Sequence, residues 1–183
     1  MNLDELLSQE LSASMVETVS VQTTRTDTQD LETILNIVRK INTSLELKEV
    51  LELVTDEAIR IAKAERGFLM LSSPEGKLEF VIGRNACGQS IQAESFQVSS
   101  SVLEDVFTTG ESLCIENALN DERFERRQSI MNLELQTIIC IPLQTHDEKI
   151  GVIYVDSKFI QAVDKEEILS LFEIMAGQAA IAI

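Results

Sequence analysis

Apolar and polar residues follow one another along this chain with a period that changes several times, and each change marks an element. Leu31, Ile34, Val38, Ile41 and Leu45 recur at spacings of three and four, and Leu35 and Ile37 widen the seam, which predicts an amphipathic helix. Leu47, Val50, Leu51, Val54, Ala58, Ile61 and Ala62 predict a second helix, with Thr43 and Glu46 spaced as a capping box at its start. After Ala64 the period falls toward two or gives way to short apolar runs. Residues 67–71 and 78–82, separated by Ser73, Pro74, Glu75 and Gly76, read as strand, turn, strand. A short strand is expected at residues 96–98. Serines 99–101 then offer caps for a helix over residues 102–108 that stops at Gly110.

A further strand is expected at residues 113–115. The polar stretch from Asn117 to Glu134 reads as a loop with a helix starting near Asp121. Residues 137–143 and 149–155, joined by residues 144–148, give the clearest hairpin in the sequence. From Asp164 a last helix carries Ile168, Leu171, Phe172, Met175, Ala179 and Ala182. Its pattern runs to Ile183 with no cap or breaker, so the helix is expected to continue past that residue. Short turns between consecutive strands imply an α+β fold, a central antiparallel sheet of five to six strands with helices on both faces. Residues 1–29 show no sustained periodicity and read as a flexible acidic tail, leaving residues 30–183 as one domain.

Charge and cysteine usage narrow the partners. A formal charge of −16 opposes nonspecific attraction to nucleic acid or an anionic membrane surface, so neither is expected as a partner. The first residues carry Asp4 and Glu5 where a secretory signal would carry basic residues, which points to the cytoplasm. Cys87, Cys114 and Cys140 are widely spaced and form no CxxC pair, so neither a disulfide framework nor a structural zinc site is expected, and the cysteines read as small buried apolar residues.

One ordered set of motifs runs through the chain: residues 64–71 (AERGFLML), Ser101 with Val102, Thr109-Gly110-Glu111, Asn117 followed by Asp121 and Phe124, residues 139–143 (ICIPL), and residues 150–157 (IGVIYVDS). In this order they resemble a GAF domain from about Leu31 to the end. The resemblance implies a central antiparallel sheet with the first, second and last helices on one face. On the other face it implies a small-molecule pocket roofed by the middle helices. By analogy, Leu69, Leu71, Ile138, Cys140, Tyr154 and Asp156 would face the pocket from the strands, and Val102, Val106, Asn117, Asp121 and Phe124 from the roof. Phe68, Met70, Ile139, Ile141, Ile153 and Val155 would face the helices.

Several chemistries known in the resembling family find few of their residues here. Cyclic-nucleotide binders tend to carry an Asn-Lys pair, whereas Asn117 precedes Ala118. Bilin attachment uses a cysteine usually followed by histidine, whereas Gly88, Ile115 and Ile141 follow the three cysteines. Haem or iron would need a buried histidine, and His146 lies in a hairpin turn. Reduction of free methionine sulfoxide would need a central cysteine where Leu103 stands and a carboxylate where Tyr154 stands; Asp156 alone matches. No required cofactor or metal, and no catalytic residue, is therefore expected. The expected function is a sensory domain that binds a small molecule, forms a homodimer, or both, to regulate an attached output domain. The alternatives are a dimerisation module without ligand and, behind it, the sulfoxide reductase. The dimer seams would be Leu31, Ile34, Val38, Ile41 and Leu45 together with Ile168, Leu171, Met175, Gln178 and Ala182.

Overall fold

The computed structural model describes residues 46–93, 98–120, 128–146, 148–160 and 164–183, with Glu32, Leu35, Asn36, Val38 and Arg39 in helical conformation. The chain divides into two units, Met1–Ile37 and Val38–Ile183. The tail expected over residues 1–29 lies outside the described residues, as do Leu31, Ile34, Ile37, Ile41 and Leu45 of the first seam. In the second unit the elements run α1 (Leu47–Ala62), β1 (Arg66–Ser72), β2 (Leu78–Asn85), α2 (Ser100–Thr109), β3 (Leu113–Ile115), a 3-10 turn (Ala118–Asn120), α3 (Gln128–Leu133), β4 (Thr137–Gln144), β5 (Lys149–Ser157) and α4 (Lys165–Ala182). The strands form one antiparallel sheet in the order β2-β1-β5-β4-β3. This is the expected α+β architecture.

Helix boundaries show which capping signals hold. At the start of α4 the Asp164 carboxylate accepts from the backbone N–H groups of Glu166 and Glu167 at 3.0 and 3.1 Å, satisfying two donors that have no partner inside the helix. Glu166 and Glu167 in the first turn also complement the helix dipole. The capping box expected for α1 does not form as placed. The helix starts at Leu47 with Glu46 itself at the N-cap, and Thr43 lies outside the described residues. Helix α2 has Ser99 at its N-cap and ends, as expected, at Gly110, whose φ of 76° suits a residue without a side chain. Of the strand expected at residues 96–98, only Val98 is among the described residues. Val98 is buried but belongs to no strand, and residues 94–97 lie outside the described residues.

Two layers cover the sheet. On one face Val50, Leu51, Val54, Ala58 and Ile59 of α1 and Ile168, Phe172, Met175 and Ala179 of α4 are buried; the two helices touch each other, and α4 lies against β4. On the other face lies α2 alone among the longer helices, crossing β4 and β5. Pro142 sits inside β4, where its missing N–H costs little because β3 pairs only with residues 138–140 and has ended by that point. An Arg84–Asp56 fork, with contacts of 2.8 and 2.7 Å, ties β2 to α1. Among the described residues no helix is long and apolar enough to cross a membrane.

The sheet closes most tightly at Gly151, which pairs with Leu71; a Cβ there would lie 2.0 Å from the Met70 carbonyl oxygen. Gly76, in the β1–β2 turn, has a φ of 76°, and a Cβ added there would meet nothing within 4 Å. Gly76→Ala should therefore cost only the left-handed strain of about 1–2 kcal/mol. Gly151→Ala should cost more than about 4 kcal/mol, because backbone must move in the middle of the sheet. Urea denaturation midpoints of the two variants check this; equal losses would show that β1 and β5 do not approach so closely.

Candidate ligand site beneath helix α2

Strand register decides which residues share a face. Phe68 pairs with Tyr154, Leu69 with Ile153 and Met70 with Val152, while Cys140 pairs with Tyr154 and Ile138 with Asp156. Phe68, Met70, Ile138, Cys140, Val152 and Tyr154 thus form one apolar layer, and it packs against Val102, Leu103 and Val106 of α2. The opposite face carries Gly67, whose missing Cβ leaves room for Ile59 of α1 and for Val155.

This places the expected pocket residues. Ile138, Cys140, Tyr154 and Asp156 do lie on the face beneath α2, with Val102 and Val106 above them. Leu69 and Leu71 do not. They share the face of Gly67 and Ile153, under the terminal helices, while Phe68 and Met70, expected to face those helices, lie beneath α2. The expectation had each strand's parity right internally and β1 turned over, because alternation within a strand says nothing about its register with a neighbour. The signal available was Gly67: a glycine in an apolar strand marks close approach, here of α1. Asn117 is half-buried with a φ of 57°, turning the chain between β3 and the 3-10 turn, and it takes part in an interaction of its own. Asp121 and Phe124 lie outside the described residues.

A polar corner closes one end of this layer. Asp156, 1% exposed, takes a two-pronged contact from Arg66, with Nε donating to Oδ1 at 2.6 Å and Nη2 to Oδ2 at 3.0 Å. The guanidinium also lies 5.4 Å over the Phe68 ring. Burial raises the Asp156 carboxyl above the usual carboxylate range, and Arg66 pulls part of that rise back. Glu65 accepts from the backbone N–H of Lys158 at 2.6 Å and joins the two strand ends from outside. The Tyr154 hydroxyl is fully buried with no hydrogen-bond partner among the described residues. Burial holds it well above its ordinary range, and nearby Asp156 raises it further without accepting a well-formed bond. Arg66 escaped the sequence reading. One cation and one anion in otherwise apolar strands predict a pair, but only once the strands are known to be neighbours.

The layer itself is filled; open space lies at its edge. A cleft of ≈ 440 Å³ runs between α2 and the β1–β2 hairpin, walled by Met70, Leu78, Leu103 and Phe107 with Lys77, Ser100 and Glu104 at its margins. A larger one, ≈ 500 Å³, lies outside the sheet between the end of α1 and residues 85–88. Four charged side chains, Asp56, Glu57, Arg60 and Lys63, stand among Ile59, Ala64 and Ala86 in its lining. The cleft beside α2 suits a ligand better, since its walls are large apolar side chains continuous with the buried layer, whereas four charged side chains ring the other.

The cysteines occupy three environments. Cys140 lies beneath α2, whereas Cys114 pairs with Ile139 and so lies on the face of the terminal helices; the two cannot reach each other through the sheet. Burial pushes both thiols up. Cys87, expected to be buried, is exposed in the turn after β2, where its backbone N–H donates to Asn85 Oδ1. His146 is exposed, and no cluster of potential metal ligands occurs among the described residues.

A five-stranded sheet in this order, with α1 and α4 on one face and α2 on the other, can be set beside known proteins. A profile of the GAF domain matches residues 44–183. The chain belongs to the GAF family. Similar solved structures include the GAF domain of an Acinetobacter phosphoenolpyruvate-protein phosphotransferase, at 19% identity and a TM-score of 0.65, covering 84% of this chain and 92% of that one. The GAF domain of a phosphoenolpyruvate-protein phosphotransferase from Coxiella burnetii matches at 15% identity and 0.62, over 83% and 90%. The phycocyanobilin-bound GAF domain of a cyanobacterial phytochrome matches at 14% identity and 0.60, over 84% and 92%. No curated protein matches the sequence.

In this GAF domain the aromatic pair beneath α2 gives a contrast. Phe68→Ala, emptying a fully buried position, should cost about 3–5 kcal/mol. Tyr154→Phe, which removes only an unpartnered buried hydroxyl, should leave stability unchanged or raise it by up to about 1 kcal/mol. Thermal and urea unfolding distinguish these outcomes. A loss on Tyr154→Phe comparable to that on Phe68→Ala would show that the hydroxyl is satisfied in solution.

Proposed function

We propose that this GAF domain is a cytoplasmic regulatory module that takes up a small, mainly apolar molecule beside α2 and transmits its presence to an attached output domain as a homodimer. The observation that carries the ligand is the cleft walled by Met70, Leu78, Leu103 and Phe107, because it opens directly onto the layer beneath the roof helix. Its volume is within the range of small-molecule sites. A phytochrome GAF domain with the same fold holds phycocyanobilin, which supports the capacity of this architecture to take a guest. The domain does no chemistry of its own in this reading. Leu103, standing where a sulfoxide reductase would carry its central cysteine, is buried in the layer, and the nearest thiol there, Cys140, is held protonated.

The second reading, a dimerisation module without ligand, draws on the close packing of Phe68, Ile138, Cys140 and Tyr154, which leaves the layer itself full. Native mass spectrometry of freshly purified protein separates the two. A bound small molecule that disappears in Leu78→Glu, with the fold retained by circular dichroism, is expected. Protein with no bound mass and no melting shift across a panel of apolar ligands and cyclic nucleotides favours the second reading.

The dimer surface needs revision from the sequence pattern. Ile168 and Met175 of the expected seam are buried within the domain, Met175 to 1% exposure. The outward stripe of α4 is instead Leu171, Ile174, Gln178 and Ile181, with Ile174 and Ile181 40% and 75% exposed. Those positions keep heptad spacing one step around the helix. Ile174→Glu with Ile181→Glu should turn a dimer of the 20.4 kDa chain into a folded monomer, whereas Met175→Glu should unfold it. Sedimentation analysis at micromolar concentration tests this, and a wild-type monomer would remove the dimer.

A further inference from the structure

We propose that Lys149 and Gln144, at the tip of the β4–β5 hairpin, form a clasp on the C-terminal end of α2, and that release of this clasp opens the layer beneath the helix. Its use in admitting a ligand rests on the function proposed above. The clasp itself does not.

The last carbonyls of a helix have no partner within it. At the end of α2 the Thr108 carbonyl is met from outside by Lys149 Nζ, and the carbonyl of the capping Gly110 accepts from Gln144 Nε2 at 3.3 Å. The donors pair with each other across the hairpin, so both reach the helix from one rigid tip. An ammonium at this end also complements the negative end of the helix dipole. Gly110 is shaped for the contact. A Cβ there would lie 2.9 Å from Gln144 Oε1, and its φ of 76° lets the chain leave the helix toward β3.

The clasp is exposed and the layer under it is not. Water competes for both donors, so these bonds open more readily than the packing of Val102, Leu103 and Val106 on the sheet. Thr108, the acceptor, also lines the apolar cleft together with Phe107. Lifting this end of α2 therefore widens the cleft toward Met70 and the buried layer, without displacing the terminal helices on the opposite face.

The three cysteines report this motion. Cys87 is exposed, Cys140 lies beneath α2, and Cys114 lies on the other face of the sheet. Labelling the full chain with a small alkylating reagent under native conditions should modify Cys87 quickly and the other two slowly. In Lys149→Met, and again in Gln144→Leu, the Cys140 rate should rise about tenfold while Cys114 is unchanged, since one helix end opens and not the whole fold. Lys149→Arg should restore the slow rate. Lys158→Met, which removes a lysine paired with Glu134 elsewhere on the domain, should leave it slow. Cys140 labelling that is equal in all variants overturns the clasp, and so does a parallel rise at Cys114, which marks global loosening. No ligand enters the experiment. Its failure leaves the proposed function standing, and a clasp that opens in protein that binds nothing removes the ligand reading alone.

Discussion

The pairing of β1 with β5 sets the arrangement of most of this domain. Gly151 lets the two backbones approach at the tip end, where any side chain would strike the Met70 carbonyl, and from there the register runs to Arg66 opposite Asp156. That one register puts Phe68 beside Tyr154 under α2 and brings a guanidinium to a buried carboxylate. It also turns Gly67 toward α1, where Ile59 takes the space of the missing side chain. A slip by one residue would bury Arg66 under the terminal helices and leave Asp156 without its partner, at a cost of several kcal/mol for the unpaired buried charge.

The two faces built on this register are covered unequally. Helices α1 and α4, 16 and 18 residues long, bury Leu69, Ile139, Ile141, Ile153 and Val155 completely or nearly so. The other face depends on the 10 residues of α2 for much of its cover, with an apolar cleft at one margin. Burial of apolar area is the main favourable term in folding, so the terminal-helix face holds the domain together. The α2 face holds less and can open locally at smaller cost. A site that must admit a guest belongs on the face whose disturbance leaves the rest intact.

Electrostatics reinforces the division. With a net charge of −16, most acids must remain solvated, and the cations that enter the interior are spent on specific ties. Arg66 grips Asp156 across β1 and β5, and Arg84 grips Asp56 between β2 and α1. Both are two-pronged arginine–aspartate contacts, whose planar geometry fixes orientation as well as distance. Each joins elements that are distant in sequence, so they specify the assembled arrangement rather than any one element.

Period and turn chemistry in the sequence determined the elements: two hairpins, a helix ending at Gly110, a last helix from Asp164, and an antiparallel α+β sheet. Those are local matters, set by alternation, by φ at glycine and by unpaired N–H groups at a helix start. The motif order along residues 64–157 added the family. Tertiary structure alone decided which face each strand shows its neighbours. It turned Phe68 and Met70 under α2 in place of Leu69 and Leu71, and it drew Ile168 and Met175 inward, leaving Ile174 and Ile181 outside. Arg66 meeting Asp156, 90 residues apart, and Lys149 meeting Thr108 are likewise outcomes of register and layer packing. A side-chain period states that two faces exist. Only the pairing of one strand with another, and of each helix with the sheet, states which is which.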